Sequence, residues 1–113
     1  MKRGDVFEAA LDPTEGSEQG GRRPVLVVSR DAINQFSPIV IVLPISKFQD
    51  FPRVYPSQLV VKAGVGGLAL DSVVMAEQVR TISKTRLVKY VGHFPNDVML
   101  SVNERMKVAL DLP

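Results

Sequence analysis

One short stretch constrains the fold of this chain more than any other. Ile39 to Ile45 reads Ile-Val-Ile-Val-Leu-Pro-Ile, without a charged or polar break. A strand with one wet face alternates apolar and polar residues, so a continuous apolar run fits a strand buried on both faces. Such a strand needs a core of some size around it. For a chain of 113 residues, surface scaling gives roughly 18,000 Å² unfolded and about 6,000 Å² folded, so about two-thirds can be buried. That suffices for one compact core without covalent staples.

The rest of the chain reads as strands around this one, closed by a helix. Val6 to Leu11 is a weak first strand, and Asp12 to Arg22 is a polar, glycine-rich loop longer than a tight hairpin needs. Loops of that length are usually functional or disordered. Arg23-Pro24-Val25-Leu26-Val27-Val28 is the second strand, with Pro24 expected among its first residues or on an edge because it cannot donate to a ladder. Asp31 to Phe36 suits a short helix capped by Ser29 or Asp31. Lys47 to Pro56 should be irregular, Gln58 to Lys62 a fourth strand, and Val65-Gly66-Gly67 a turn. Asp71 to Ile82 fits a single fifth strand and Arg86 to Gly92 a sixth. The period then changes. Val98, Val102, Met106 and Ala109, with Met99 and Leu110, recur at helical spacing behind a Pro95-Asn96-Asp97 start in which Asn or Asp can cap. With no repeat or linker, residues 1–113 are expected to form one mainly β domain with a C-terminal helix.

Composition narrows the chemistry. The chain has no cysteine and one histidine, which excludes a disulfide scaffold, a cysteine-based zinc site and any mechanism needing two histidines from one chain. The carboxylates show no metal-ligand spacing, so neither a metal nor another cofactor is expected. His93, just before the helix, reads as a partly buried structural residue, and no serine sits in a strand–serine–helix elbow. The net charge of +2 and pI of 9.2 fit a nucleic-acid partner and an ordinary domain alike. No apolar run is long enough for a transmembrane helix, and Met1 to Asp5 lacks the apolar segment of a signal peptide. A cytoplasmic protein without membrane contact is expected.

The loop before the second strand, Gly16-Ser17-Glu18-Gln19-Gly20-Gly21-Arg22-Arg23-Pro24, matches neither a dinucleotide fingerprint nor a P-loop. Its glycines free the backbone, and its two arginines offer planar donor forks suited to phosphate. A flexible hairpin loop with solvated charges fits the same residues.

Taken in order, Lys2-Arg3-Gly4-Asp5-Val6, Gly16 to Val27, Ser37-Pro38 with its apolar strand, Asp71-Ser72-Val73 and Glu77-Gln78-Val79-Arg80-Thr81 resemble the MazF/PemK toxin family over nearly the whole chain. The glycine-rich block running into Arg-Pro-Val-Leu-Val is the specific one. The resemblance implies an SH3-like β-barrel with a C-terminal helix, present as a homodimer. It further implies a metal-independent endoribonuclease cutting single-stranded RNA, and an acidic, partly disordered antitoxin as partner. The family's catalytic arginine before proline falls on Arg23, and its catalytic threonine falls on Ser46, which keeps the hydroxyl and loses the methyl. The mobile loop over the RNA corresponds to Ser17, Glu18, Gln19, Gly20 and Gly21, with Arg22 beside it. Glu77, Gln78 and Arg80 match a segment of the RNA groove.

Several residues admit two readings. Glu18, Gln19 and Gln78 can read base edges or simply be solvated. Asp71 and Arg80 can form a structural ion pair. The aromatic loop Phe48 to Tyr55 can pack beneath itself or stack a base. Met99, Met106, Val108 and Leu112 exceed what one helix face buries, which favours isologous pairing. The rivals to an enzyme are a toxin of the same fold that acts by binding a protein, as a gyrase poison does, and a plain SH3-like interaction module.

Overall fold

A computed structural model describes residues 1–113. Its strands are β1 (Asp5–Ala10), β2 (Arg22–Val27), β3 (Ile39–Lys47), β4 (Gln58–Val61), β5 (Ser72–Met75), β6 (Arg80–Ser83) and β7 (Leu87–His93). Helix α1 (Asp31–Phe36) lies between β2 and β3, and α2 (Asn96–Leu110) ends the chain. Single 3₁₀ turns occupy Phe48–Asp50, Val65–Gly67, Ala76–Gln78 and Lys84–Arg86. All strands pair antiparallel, in the order β4-β5-β3-β2-β1-β7, and β6 pairs with β3 off this path. β4 and β7 stand at opposite ends without pairing, so the hydrogen-bonded ladder is open where the expected barrel would be closed.

β3 organises the sheet. Along one edge it pairs with β6 from Ile39 to Val42 and with β5 from Ile45 to Lys47; along the other it pairs with β2 from Val42 to Pro44. Leu43 and Pro44 fall in the gap between β6 and β5, a place where a residue without an N–H is tolerated in a central strand. Pro24 lies third in β2, opposite Glu8 of β1 and just before the β3 ladder begins at Val25.

The expected fifth strand is two. The turn Ala76–Gln78 divides Asp71 to Ile82 and absorbs a register slip against β3, between Ile45↔Val74 on one side and Val42↔Arg80 on the other. Helix capping also differs from expectation. Arg30 and Pro95 stand at the N-cap positions without a side-chain cap bond. The Ser29 hydroxyl instead bonds Asn34, and Asp31 accepts the backbone N–H of Arg3 at 2.7 Å.

Alternation along β2 and β3 separates two cores. Leu26, Val28, Leu43 and Ile45 join Val6, Phe94, Met99 and Val102 on the side of α2. Val25, Val27, Val40 and Val42 join Ala9, Leu11 and Ile82 on the other side. The apolar run of β3 is thus buried on both faces. On α2, Val98, Met106 and Ala109 pack on the first core as their spacing predicts, whereas Leu110 is exposed. Met99 is buried within the protomer and Met106 packs there too, so neither belongs to the surplus apolar surface of the helix. His93 is structural, its Nδ1 lying 2.7 Å from Asp5 Oδ1 and tying the end of β7 to the start of β1.

The 3₁₀ turn Val65–Gly67 crosses β7 at backbone contact. A Cβ on Gly92 would lie 2.3 Å from the Gly66 carbonyl oxygen, so only glycine fits. Gly92→Ala is expected to cost about 1–3 kcal/mol through this overlap, read as a lower denaturation midpoint at unchanged m-value. A smaller effect concerns acid. Asp31 titrates below its ordinary 3.8, chiefly because it accepts the Arg3 N–H. A lowered folded-state value stabilises above the unfolded value and is lost as pH falls through the folded one. Wild-type stability is therefore expected to decline below the unfolded value more steeply than that of Asp31→Asn, as followed by thermal melting against pH.

Candidate active site

Register places the central pair. The β2–β3 ladder ends at Val25 opposite Pro44, and continuing its antiparallel alignment by two residues brings Arg23 toward Ser46, where their side chains bond. Ser46 is held on its other edge by Val73 of β5, and Arg23 on its other edge by Ala9 of β1. An Arg23 Nη1–H donates to Ser46 Oγ, and Arg23 Nε donates to the Gly20 carbonyl at 2.7 Å. The Ser46 hydroxyl in turn donates to Gln19 Oε1 at 3.1 Å. Gln78 completes the tie. Its Oε1 accepts the Gln19 N–H at 3.4 Å, and its Nε2 donates to the Ser17 carbonyl at 3.2 Å.

The glycine-rich loop thus lies over the Arg23–Ser46 pair in a defined path. Its neck closes where Leu11 N–H donates to the Gly21 carbonyl and Gly21 N–H donates to Asp12 Oδ1, both at 2.9 Å. Gly21 takes φ +72°, a conformation that suits glycine. Beside the pair runs a groove of about 400 Å³, with Arg22, Arg23, Ser46, Lys47 and Asp50 among its polar lining and Leu68 to Leu70 on its apolar side. Three cations against one carboxylate give that lining a positive sign, suited to a polyanion.

The residues matched to the RNA groove do not all converge. Ser17, Gln19, Gly20 and Gln78 make direct or relayed contacts with the central pair, Gly21 closes the neck, and Arg22 lines the groove while its Nε donates to Glu8 at 2.8 Å. Glu18 turns back into its own loop, accepting the Glu15 N–H at 3.0 Å. Glu77 points the other way from Gln78, accepting from Ser57 Oγ at 3.0 Å and Gln58 Nε2 at 2.5 Å. Arg80 donates to the Leu11 carbonyl at 3.3 Å. It does not pair with Asp71, which instead accepts the Ala63 N–H at 2.8 Å and lies 3.8 Å from Lys62 Nζ. In the aromatic loop Phe51 is half-buried, whereas Phe48 and Tyr55 are exposed. Sequence reasoning passed over Lys47, Asp50 and Leu68 to Leu70. Lys47 was signalled by its place next to Ser46, but nothing local marks Leu68 to Leu70.

Residues 2–110 match the family described as PemK-like, MazF-like toxin of type II toxin–antitoxin system. The chain belongs to that family. It is 43% identical over 112 residues to endoribonuclease EndoA of Bacillus subtilis, covering 99% of this chain and 96% of that protein. It is 38% identical to endoribonuclease MazF of Staphylococcus saprophyticus, covering 99% and 92%. Among solved structures it is similar to MazF from Deinococcus radiodurans, with a TM-score of 0.83 at 26% identity over 99% of this chain and 97% of the other. It is also similar to a mycobacterial endoribonuclease solved with its cognate antitoxin, with a TM-score of 0.81 at 25% identity over 100% and 97%. No helix is long and apolar enough to cross a membrane.

In this member of the PemK-like, MazF-like toxins, Gln78 is the only side chain bonding the loop at two points, Ser17 and Gln19, from another element. Gln78→Ala is expected to raise amide hydrogen exchange in residues 15–21 severalfold while leaving the strands protected. Unchanged exchange there would mean that the other contacts, from Arg23, Ser46 and the neck at Asp12 and Gly21, hold the loop without Gln78.

Proposed function

We propose that this toxin is an endoribonuclease of a type II toxin–antitoxin pair that cleaves single-stranded RNA through Arg23 and Ser46. The observation that carries the reading is the Arg23–Ser46 hydrogen bond at the wall of a positively lined groove. The side chains around the pair are guanidinium, hydroxyl and carboxamide groups. Such a set provides neither a strong nucleophile nor a cluster of metal ligands. It suits a reaction in which the substrate supplies the nucleophile.

An RNA chain does so. Its 2′-hydroxyl gives up its proton to solvent water and attacks the adjacent phosphorus, the bond to the 5′-oxygen breaks as that oxygen takes up a proton, and the products carry a 2′,3′-cyclic phosphate and a 5′-hydroxyl. The protein must bind the charge that builds on the phosphorane and handle protons at two oxygens. Arginine is suited to the first task. A guanidinium in water stays protonated far above neutral pH, and making one neutral at pH 7 costs on the order of 7 kcal/mol, which argues against a role as general base. Arg23 acts as a clamp on the non-bridging oxygens and as proton donor toward the leaving oxygen. The Ser46 hydroxyl swings from Gln19 to a non-bridging oxygen, a preorganised donor of the oxyanion-hole kind. Arg22 and Lys47 hold neighbouring phosphates, while Gln19 and Gln78, freed from each other, meet base edges. Glu18 joins them once RNA opens the loop. Glu77 and Arg80 support the groove from its far side.

The same reading carries a partner and an assembly. An acidic, partly disordered antitoxin fits the positive groove and would exclude RNA from it. A homodimer would cover Leu100, Val108, Leu110 and Leu112, which α2 leaves exposed. The sheet takes the SH3-like barrel shape without closing its ladder, and an RNA substrate places the protein in the cytoplasm.

Purified protein incubated with a long RNA in EDTA is expected to give discrete cuts with cyclic-phosphate ends. Arg23→Ala should lower the rate by about 10²–10³-fold, the scale seen for loss of a transition-state donor, and Ser46→Ala by less. Arg23→Lys keeps the charge but loses the planar fork, and is expected to remain at least about tenfold impaired. Near-full activity of the lysine variant would refute the clamp. Absence of cleavage across a range of RNAs would favour a toxin that works by binding protein. Light scattering at micromolar concentration is expected to report a dimer, and a stable monomer would remove that part of the proposal.

A further inference from the structure

Arg86 takes no part in the chemistry above, yet its guanidinium reaches the root of the loop that covers the site. Arg86 Nη1 donates to the carbonyls of Asp12 at 2.5 Å and Ala10 at 3.2 Å. Arg80 Nη1 donates to the carbonyl between them, that of Leu11, at 3.3 Å. Two arginines therefore hold three successive carbonyls at the point where β1 gives way to the loop. Arg86 works from a fixed platform. It ends the 3₁₀ turn Lys84–Arg86, whose first residue donates its N–H to the Pro38 carbonyl at 2.9 Å and whose Thr85 N–H is accepted by Ser83 Oγ at 3.3 Å.

From Asp12 the contacts run unbroken to the active-site pair. Asp12 Oδ1 accepts the Gly21 N–H at 2.9 Å, and the neighbouring Gly20 carbonyl accepts Arg23 Nε at 2.7 Å. The approach is close. A Cβ on Gly20 would lie 2.6 Å from Asp12 Oδ1 and 2.5 Å from Thr14 Oγ1, so the Asp12 and Thr14 side chains sit directly against this segment.

We propose that Arg86 is a positioning residue for Arg23. It fixes Asp12, Asp12 fixes the Gly20-Gly21 segment, and the Gly20 carbonyl aims the guanidinium of Arg23 across to Ser46. This rests on the ribonuclease reading of the site. The competing role for a partly exposed arginine in a protein that acts on RNA is direct contact with an RNA phosphate, and the two roles differ in what they change. A phosphate contact sets affinity and its salt dependence. An anchor sets the geometry of the reacting groups, where small displacements are costly in rate.

Arg86→Ala, Arg86→Lys, Asp12→Ala and the Arg86→Ala/Asp12→Ala double variant are compared with wild type on a short single-stranded RNA across a salt series. Amide hydrogen exchange of residues 11–23 is followed in parallel. Arg86→Ala is expected to lower kcat by about 10- to 100-fold with KM within about twofold. The slope of log affinity against log salt should stay unchanged. Exchange at Gly20 and Gly21 should rise about tenfold. Asp12→Ala should reproduce these effects from within the exposed loop, which keeps the test decisive if Arg86→Ala folds poorly. The double variant should be no worse than the poorer single one, because both break one chain of contacts. Arg86→Lys, which retains charge and reach to one carbonyl, should recover part of kcat.

Weaker binding and a salt slope reduced by about one, with kcat and exchange unchanged, would make Arg86 a phosphate contact and overturn the proposal. So would unchanged kcat and exchange together. If wild type cleaves no RNA, the ribonuclease reading falls, and the exchange data alone decide whether Arg86 holds the loop.

Discussion

The cross-strand alignment of β2 and β3 is the constraint on which the rest of this structure depends. Arg23 and Ser46 come from segments far apart in sequence, yet the ladder that pairs Val25 with Pro44 leaves them no choice of partner. A slip of one residue would turn Ser46 to the opposite face and move Leu43 and Ile45 from one core to the other. Because both faces of β3 are buried, either error would place apolar side chains against the wrong wall. The hydrophobic pattern that stabilises the domain thereby fixes the geometry of its polar pair. No separate device is needed to hold two functional groups together.

That pair is tied to the loop in the free protein. Arg23 donates to Gly20 and Ser46, and Ser46 donates to Gln19. These part-buried bonds each net only about 1–3 kcal/mol over competition with water. The acceptors that Arg23 meets in the loop and on Ser46 are neutral, whereas a phosphate would be an ionised one. Under the proposed function the loop keeps two donors of Arg23 aimed until a substrate replaces it. Preorganisation of this sort is what a charge clamp requires, because a guanidinium free to rotate would lose much of its advantage over a lysine.

Much of the fold was legible from local pattern. The apolar run of β3, the helical period of α2 and the limits of α1 needed only residue type and spacing. The division of Asp71 to Ile82 was not legible, because Val73 to Val79 contains no Gly, Pro, Asn or Asp turn signal and the break at Ala76 answers to the register of β3, which local pattern does not contain. The caps failed for a related reason. Asp31 was a sound choice by type, but a distant N–H from Arg3 had a better geometric claim on its carboxylate. At the site, Arg23, Ser46 and the loop were marked by resemblance and by the chemistry of their side chains. The apolar wall from Leu68 to Leu70 and the anchor at Arg86 carry no local mark, since each acts through a contact made across the fold.

The turn Ala76–Gln78 shows how closely fold and site are joined. Its insertion lets one segment pair with both ends of β3, and Ala76 is buried against the first core. The two polar residues that follow then leave a tight turn in different directions. Glu77 ties to Ser57 and Gln58 at the start of β4, while Gln78 reaches the loop over Arg23 and Ser46. A register slip in β5 or β6 would thus displace Gln78 together with the sheet. The loop reports on the packing beneath it. In such an arrangement a change deep in the first core can alter the site without touching any residue that lines it, because the backbone of the turn sets where the Gln78 carboxamide meets the loop.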